Sequence, residues 1–327
     1  MKYLLFCCAF IVFFACDNEL DILEDKKDIP IVYGVLSIAD SAQYIRIERA
    51  FVDDQTSAFD LAQIPDSLYY PNLSVKIRQE ATGEEFDLIR VDGNFEGYVR
   101  EEGTFAQSPN YLYKILSSDI PLIEDTEYTL LIDRGSELPI VEATTRIVGS
   151  SRITTPLNSI GFDYIQPTKV RWRSGAGAKT FDVRMVFHYR ERITSSNDDF
   201  EDRSAEWVMT QNYVSTGAEI ENLEIPGINF YSFLSGTITA DPEIERRVGD
   251  VDLILDSGGQ EILDLNRVSG ANLGITSSQD VPFYSNISEG RGVFSSKHTA
   301  TIVELPLKSG TIDSIVGGTI TRDLNFK

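Results

Sequence analysis

Apolar and polar residues alternate with a period of two along most of this chain, the signature of half-buried strands rather than helices. Ile29 to Ala39 predicts a strand, Asp40-Ser41-Ala42 a turn, and Gln43 to Phe51 a second strand. In that second strand Ile45, Ile47 and Phe51 share one face, and Arg46 and Glu48 the other. Thr56 to Ile64 reads as a short helix stopped by Pro65. Leu73 to Glu80 and Glu85 to Val91 predict a hairpin around Ala81-Thr82-Gly83. Tyr111 to Ile115, Glu127 to Asp133 and Pro139 to Val148 complete a set of about seven strands, the number expected of a β-sandwich.

A polar stretch around Pro156 reads as a joint, and a second strand series follows it. Lys169 to Trp172 opens this series. In the next strand Phe181, Val183, Met185 and Phe187 alternate with Asp182, Arg184, Val186 and His188. Glu206 to Val214, Val251 to Leu255 and Val293 to Leu307 are further strands. Trp172 is a candidate ligand platform, but the alternation around it favours a core position. Ile228, Tyr231 and Leu234 recur at helical spacing before Gly236. Asp241-Pro242-Glu243 has the cap, the proline and the acid of a helix start, with Arg246 and Arg247 suited to its last turn. The run Glu127 to Ile132 followed by Glu142 to Thr145, and Trp172 with the alternating strand after it, resemble immunoglobulin- or fibronectin-type modules. The expected architecture is mainly β: two tandem β-sandwich (immunoglobulin- or fibronectin-like) domains, residues 29–150 and 151–327, the second with a helical insertion at about 226–247.

The first residues break the pattern. Lys2 precedes an uncharged apolar run from Tyr3 to Phe14, which ends at Ala15 and Cys16, and acids follow at once in Asp17, Glu19 and Asp21. The run is shorter than the roughly 20 residues that span a bilayer as a helix. It reads as a signal peptide, residues 1–15, with Cys16 as the lipidated first residue of the mature chain. Cys7 and Cys8 leave with the leader, so the mature chain has no pair for a disulfide. Phe13 stands where lipoprotein signals usually carry Leu, a departure that resembles the looser boxes of Bacteroidota. Residues 16–28 are then an acidic tether, and acids directly behind the cysteine resemble a surface-export signal of that phylum. The expected location is the outer membrane, lipid-anchored and surface-exposed.

The net charge of −22 opposes binding to nucleic acid or to anionic head groups. Little in the sequence points to catalysis. His188 and His298 lie in separate strands and fit no metal spacing. No G-x-S-x-G elbow or phosphate-binding glycine loop is present. No cofactor is expected. Two acidic clusters are calcium candidates: Asp198, Asp199, Glu201 and Asp202, and, beside Gly258-Gly259, Asp250, Asp252 and Asp256. Neither matches a D-x-[DN]-x-[DN]-G loop, and Asp250 and Asp252 equally fit the outer face of a strand. Asp40-Ser41-Ala42, Asp66-Ser67-Leu68 and Asp313-Ser314-Ile315 resemble Bacteroidota O-glycosylation acceptors, and they equally suit turns.

Three stretches together carry a family resemblance. They are Pro30-Ile31-Val32-Tyr33-Gly34-Val35-Leu36 running into Tyr44-Ile45-Arg46-Ile47, the segment Asp66-Ser67-Leu68-Tyr69-Tyr70, and Pro282-Phe283-Tyr284-Ser285-Asn286-Ile287 followed by Gly290-Arg291-Gly292-Val293-Phe294. The combination resembles a group of Bacteroidota outer-membrane lipoproteins without assigned function, many encoded beside SusC-like TonB-dependent receptors. The resemblance implies a non-enzymatic accessory or ligand-binding partner of such a receptor, acting in the uptake of a nutrient or glycan. Asn286, Gly290, Arg291 and Gly292 are then a candidate partner loop, or simply a tight loop before the last strand. An adhesin or fimbrial subunit is the alternative, although Arg46, the first arginine, lies inside a patterned strand rather than in a cleavable leader strand. A glycan or peptide hydrolase is the least supported class.

Overall fold

The computed structural model describes residues 28–50, 56–135, 138–195, 199–271 and 283–327. Cys16 and its tether up to residue 27, Asp198 and Pro282 lie outside them. The chain is mainly β. Its first half runs β1 (Pro30–Ser37), β2 (Ala42–Arg49), α1 (Ala58–Ala62), α2 (Pro65–Leu68), β3 (Ser74–Gln79), β4 (Glu84–Asp87), β5 (Ile89–Asp92), β6 (Tyr111–Leu116), β7 (Glu127–Asp133) and β8 (Val141–Arg146). The second half runs β9 (Arg152–Thr155), β10 (Pro167–Arg173), β11 (Thr180–Ile193), β12 (Glu201–Val214), β13 (Ile220–Pro226), α3 (Ile228–Thr237), β14 (Ile244–Gly258), α4 (Gln260–Ala271), β15 (Arg291–Leu305) and α5 (Ser309–Gly317).

One eight-stranded sheet, in the order β12-β11-β14-β15-β1-β2-β6-β5, runs through both halves. A four-stranded sheet, β4-β3-β7-β8, faces its first-half strands, and a three-stranded sheet, β13-β10-β9, belongs to the second half. Each half has its own core. Val32, Ile45 and Ile47 meet Val75, Ile77 and Leu130 in the first. Phe181, Phe187 and Leu253 meet Trp172, Phe230 and Tyr231 in the second. Trp172 is fully buried, with the rings of Phe181 and Tyr213 at 5.2 and 5.3 Å, so it fills the core and is no ligand platform.

The halves are joined by strand pairing. β15 lies parallel to β1, from Ile31 opposite Arg291 to Ser37 opposite Lys297. Phe294, a second-half residue, is buried in the first core, whereas Leu305 at the other end of β15 is buried in the second. Gly292 makes the pairing possible. Its φ is +115°, and a Cβ there would stand 1.9 Å from the Val32 carbonyl oxygen.

Three local expectations are corrected. Glu85 to Val91 is not one strand. Leu88 turns into the first core, leaving β4 paired with β3 while β5 crosses to pair with β6 in the larger sheet. Asp241-Pro242-Glu243 starts a turn rather than a helix: Asp241 Oδ1 accepts the Glu243 N–H at 2.8 Å, and β14 begins at Ile244. Arg246 therefore lies in a strand, 3% exposed, donating to Glu191, Leu324 O and Thr239 O. The helical insertion shrinks to α3, in which Tyr231 and Leu234 are buried and Ile228 is exposed.

Candidate functional site

Strand β8, the turn before β11 and the start of α4 meet at the junction of the halves. They enclose an open cleft of about 490 Å³ lined by Asp125, Glu127, Arg146, Lys179 and Glu261 among others. Its charges largely satisfy one another. The Arg146 guanidinium donates to Glu127 at 2.8 Å and to Asp125 at 3.3 Å, and these carboxylates hold its pKa above the ordinary arginine value. Glu261 Oε2 accepts the hydroxyls of Thr145 at 3.0 Å and Ser295 at 2.8 Å. Such a cleft, lined by paired charges and hydroxyls, suits a polar ligand.

His188 Nε2 pairs with Asp252 Oδ2 at 2.9 Å, and Asp252 Oδ1 accepts the Glu304 N–H at 2.9 Å. Ser204 stands opposite His188 in register on β12. Among the described residues, no hydroxyl hydrogen-bonds to either histidine ring. His298 is buried beside the junction with its Nδ1 unpartnered. Burial pushes its imidazole pKa down, and the Glu124 carboxylate pulls the other way.

The sequence candidates separate in space. Asp250, Asp252 and Asp256 are strung along β14, their ends about 20 Å apart at 3.3 Å per residue. Asp256 is engaged by Arg184 at 2.9 Å and by Thr299 at 2.6 Å. No ion with oxygens at about 2.3–2.6 Å could collect all three. Among the described residues, no three His, Cys, Asp or Glu side chains group as a metal site. Asn286 spans two strands: its Oδ1 accepts the Phe294 N–H at 3.0 Å, and its Nδ2 donates to Phe294 O at 2.7 Å and Thr144 O at 3.3 Å. With Ser288, whose hydroxyl accepts the Glu142 N–H at 2.7 Å, it closes the free edge of β8. Gly290 packs on Pro30, where a Cβ would come within 2.8 Å of the carbonyl oxygen. Of the four candidate loop residues, Arg291 is the one that reaches outward, stacked at 3.8 Å on the ring of the exposed Phe283.

A second surface has no single sequence motif behind it. On the outer face of the large sheet Tyr33 lies opposite Arg46, Tyr44 opposite Lys114, and Lys114 opposite Ile89. The segment 93–110 folds back over them. Tyr98 sets its ring 4.7 Å from that of Tyr44, and Glu96 accepts from Tyr44 Oη at 3.0 Å and Lys114 Nζ at 2.5 Å. Arg46 donates to Asn110 and Glu48, and Arg100 pairs with the same Glu48. Tyr33, Ile89, Tyr98 and Val99 remain more than half exposed, and Phe95 is 90% exposed. The resemblance stretches include Tyr33 and Tyr44. Phe95, Tyr98 and Val99 lie in an aperiodic loop, where only their aromatic and apolar character could have drawn notice.

Among the described residues no helix is long and apolar enough to cross a membrane. No family model and no curated protein matches the chain. Solved structures match weakly. The C-terminal globular domain of an oligosaccharyltransferase from Pyrococcus abyssi is 10% identical over 67% of this chain and 40% of that one, with a TM-score of 0.21. The N-terminal four Ig domains of Dscam1 isoform 1.9 are 9% identical over 88% of this chain and 45% of that one, with a TM-score of 0.16. The matched regions thus span less than half of either protein's own chain.

Proposed function

We propose that this chain is a non-enzymatic surface lipoprotein, an accessory or ligand-binding partner of an outer-membrane TonB-dependent receptor in nutrient uptake. In this reading Cys16 carries the lipid, and two immunoglobulin- or fibronectin-like sandwiches form the body. The outer face around Tyr33, Tyr44 and Tyr98 is what docks. The observation that carries the reading is the gathering of aromatic rings around Arg46 and Lys114, with Tyr33 exposed on the outer sheet face and Tyr98 exposed on the segment folded over it against Tyr44. Aromatic residues and arginine are the side chains enriched at protein interfaces, and anchors pre-set by a sheet lose little entropy on binding. The internally paired junction cleft suits a polar ligand, and among the described residues no activated nucleophile recommends a hydrolase.

The test is a mild-detergent pull-down of C-terminally tagged protein from native membranes, read by mass spectrometry. The expected result is near-stoichiometric recovery of one TonB-dependent receptor, lost when Tyr33→Ala and Tyr98→Ala are combined. Both positions are more than half exposed, so the pair leaves the cores intact. Recovery of the chain alone, or unchanged recovery with the double variant, overturns the reading.

A further inference from the structure

We propose that the end of the body from which the N-terminal segment leaves is a lipid-contacting surface, formed by Leu138, Ile140 and the Phe283–Arg291 pair. The proposal rests on the anchored reading above and adds an orientation to it.

Asp28 is the root of the tether, and it is clamped. Its Oδ1 accepts the Tyr70 hydroxyl at 2.8 Å, and Arg134 Nη1 donates to its carbonyl oxygen at 2.7 Å and to Oδ2 at 3.3 Å. The same guanidinium donates through Nη2 to Pro139 O at 3.0 Å. Arg134 thus ties the turn bearing Leu138 and Ile140 to the exit point. Those two side chains are 43% and 51% exposed. On the other side, Gly290 packs on Pro30, Arg291 stands opposite Ile31, and the Arg291 guanidinium covers the exposed ring of Phe283.

Two branched aliphatic side chains, one aromatic ring and one arginine therefore surround the root. Such side chains sit well at a membrane interface, the apolar groups entering the acyl boundary and the guanidinium staying at phosphate level. The tether from Cys16 to Asp28 extends at most about 40 Å, and a relaxed coil of that length spans about 20 Å. A lipid on Cys16 therefore keeps this end closest to the bilayer. Glu142 and Glu289 are exposed nearby, so the contact is apolar in origin and not a demand for anionic lipid.

The test places tryptophan at the tip of the full lipidated protein by Leu138→Trp and, separately, Phe283→Trp, with Val208→Trp as a control. The proteins are reconstituted in vesicles of phosphatidylethanolamine and brominated phosphatidylcholine. Native Trp172 and Trp207 give the baseline. Trp207 is on β12, four strand spacings from β1, about 19 Å away at 4.8 Å each. The two tip variants are expected to lose most of their added fluorescence to the brominated chains, and Val208→Trp almost none of it. Equal quenching of all three overturns the proposal. Mass spectrometry reads the lipid on Cys16 independently. If Cys16 is unmodified, the anchored reading fails, and a maleimide phospholipid coupled to Cys16 of the processed chain supplies the same tether for the same quenching measurement.

Discussion

Phe294→Ala measures how tightly the halves are coupled. Phe294 comes from β15 yet is fully buried in the first core. Its ring lies against the β1 backbone, since a Cβ on Gly34 would be 3.1 Å from Phe294 Cδ2. Backbone cannot close over a vacated ring, so the cavity stays open and the loss falls in the full range of about 3–5 kcal/mol for Phe→Ala. With a urea slope of about 3 kcal/mol/M, the midpoint drops by about 1–1.7 M. Both tryptophans report on the second half, where Trp172 is buried in the core and Trp207 packs against it. If the continuous sheet makes the two halves one cooperative unit, a substitution in the first core moves the tryptophan-monitored transition by the whole amount. Far-ultraviolet circular dichroism would then trace the same curve. A tryptophan transition that stays in place while circular dichroism shows an earlier phase refutes the coupling, and with it the argument that the β1–β15 pairing fuses the halves.

Two other predictions follow from the same joint. Gly292→Ala meets both a positive φ and the Val32 carbonyl, so it is expected to lower Tm by several degrees, read by calorimetry, more than Gly217→Ala, where a Cβ meets nothing within 4 Å. Equal losses at the two glycines would mean that β1 and β15 tolerate separation. Because burial holds the His298 pKa below its unfolded value, the folded and unfolded chains are both neutral there above about pH 6.5. As pH falls below that, the unfolded chain takes up a proton that the folded chain resists, and stability declines. Urea midpoints measured between about pH 5 and 8 should show this slope in the native protein and a flatter one in His298→Gln; parallel slopes would exclude His298 as their source.

The period-two pattern makes most strands legible, because most bury one face against a core and leave the other wet; it does not point to β9 or β13. What it could not reveal was partnership. Glu85 to Val91 holds no Gly or Pro, and its alternation slips only at the adjacent apolar pair Leu88-Ile89, where Leu88 turns into the core and the chain changes sheets. Nothing local marks the pairing of β1 with β15, which joins residues some 260 positions apart. The cap chemistry at Asp241 was real, but one turn satisfies it, and the alternation from Val251 to Leu255 belongs to a strand that begins at Ile244. Helix α4 has no sequence expectation behind it, since Gly258-Gly259 stands next to the aspartates of β14 as much as next to the helix that follows. The glycines near 290 did mark a place where only glycine fits. The structure places two of them against backbone and Asn286 across a strand edge, which leaves Arg291 as the outward-facing member of that group.

Strand β1 begins two residues after the clamp at Asp28 and carries Tyr33 of the proposed docking face. Tyr33 is five residues beyond Asp28, about 17 Å along an extended chain at 3.3 Å per residue. If Asp28 stands at the bilayer, Tyr33 cannot lie far above it; Tyr44 sits on the neighbouring strand, and Tyr98 in the loop stacked on Tyr44, at comparable height. A partner that reaches these rings must then project only a short way from the membrane, as a protein embedded in it does, whereas a soluble partner would more readily reach β12 at the far edge of the sheet. The shared sheet carries the argument further. Because β15 continues the first-half strands into the second half, whatever docks on β1 and β2 fixes the direction of the second sandwich as well. The anchor and the docking face thus become two constraints on a single rigid body, which favours one defined pose over a loosely tethered domain.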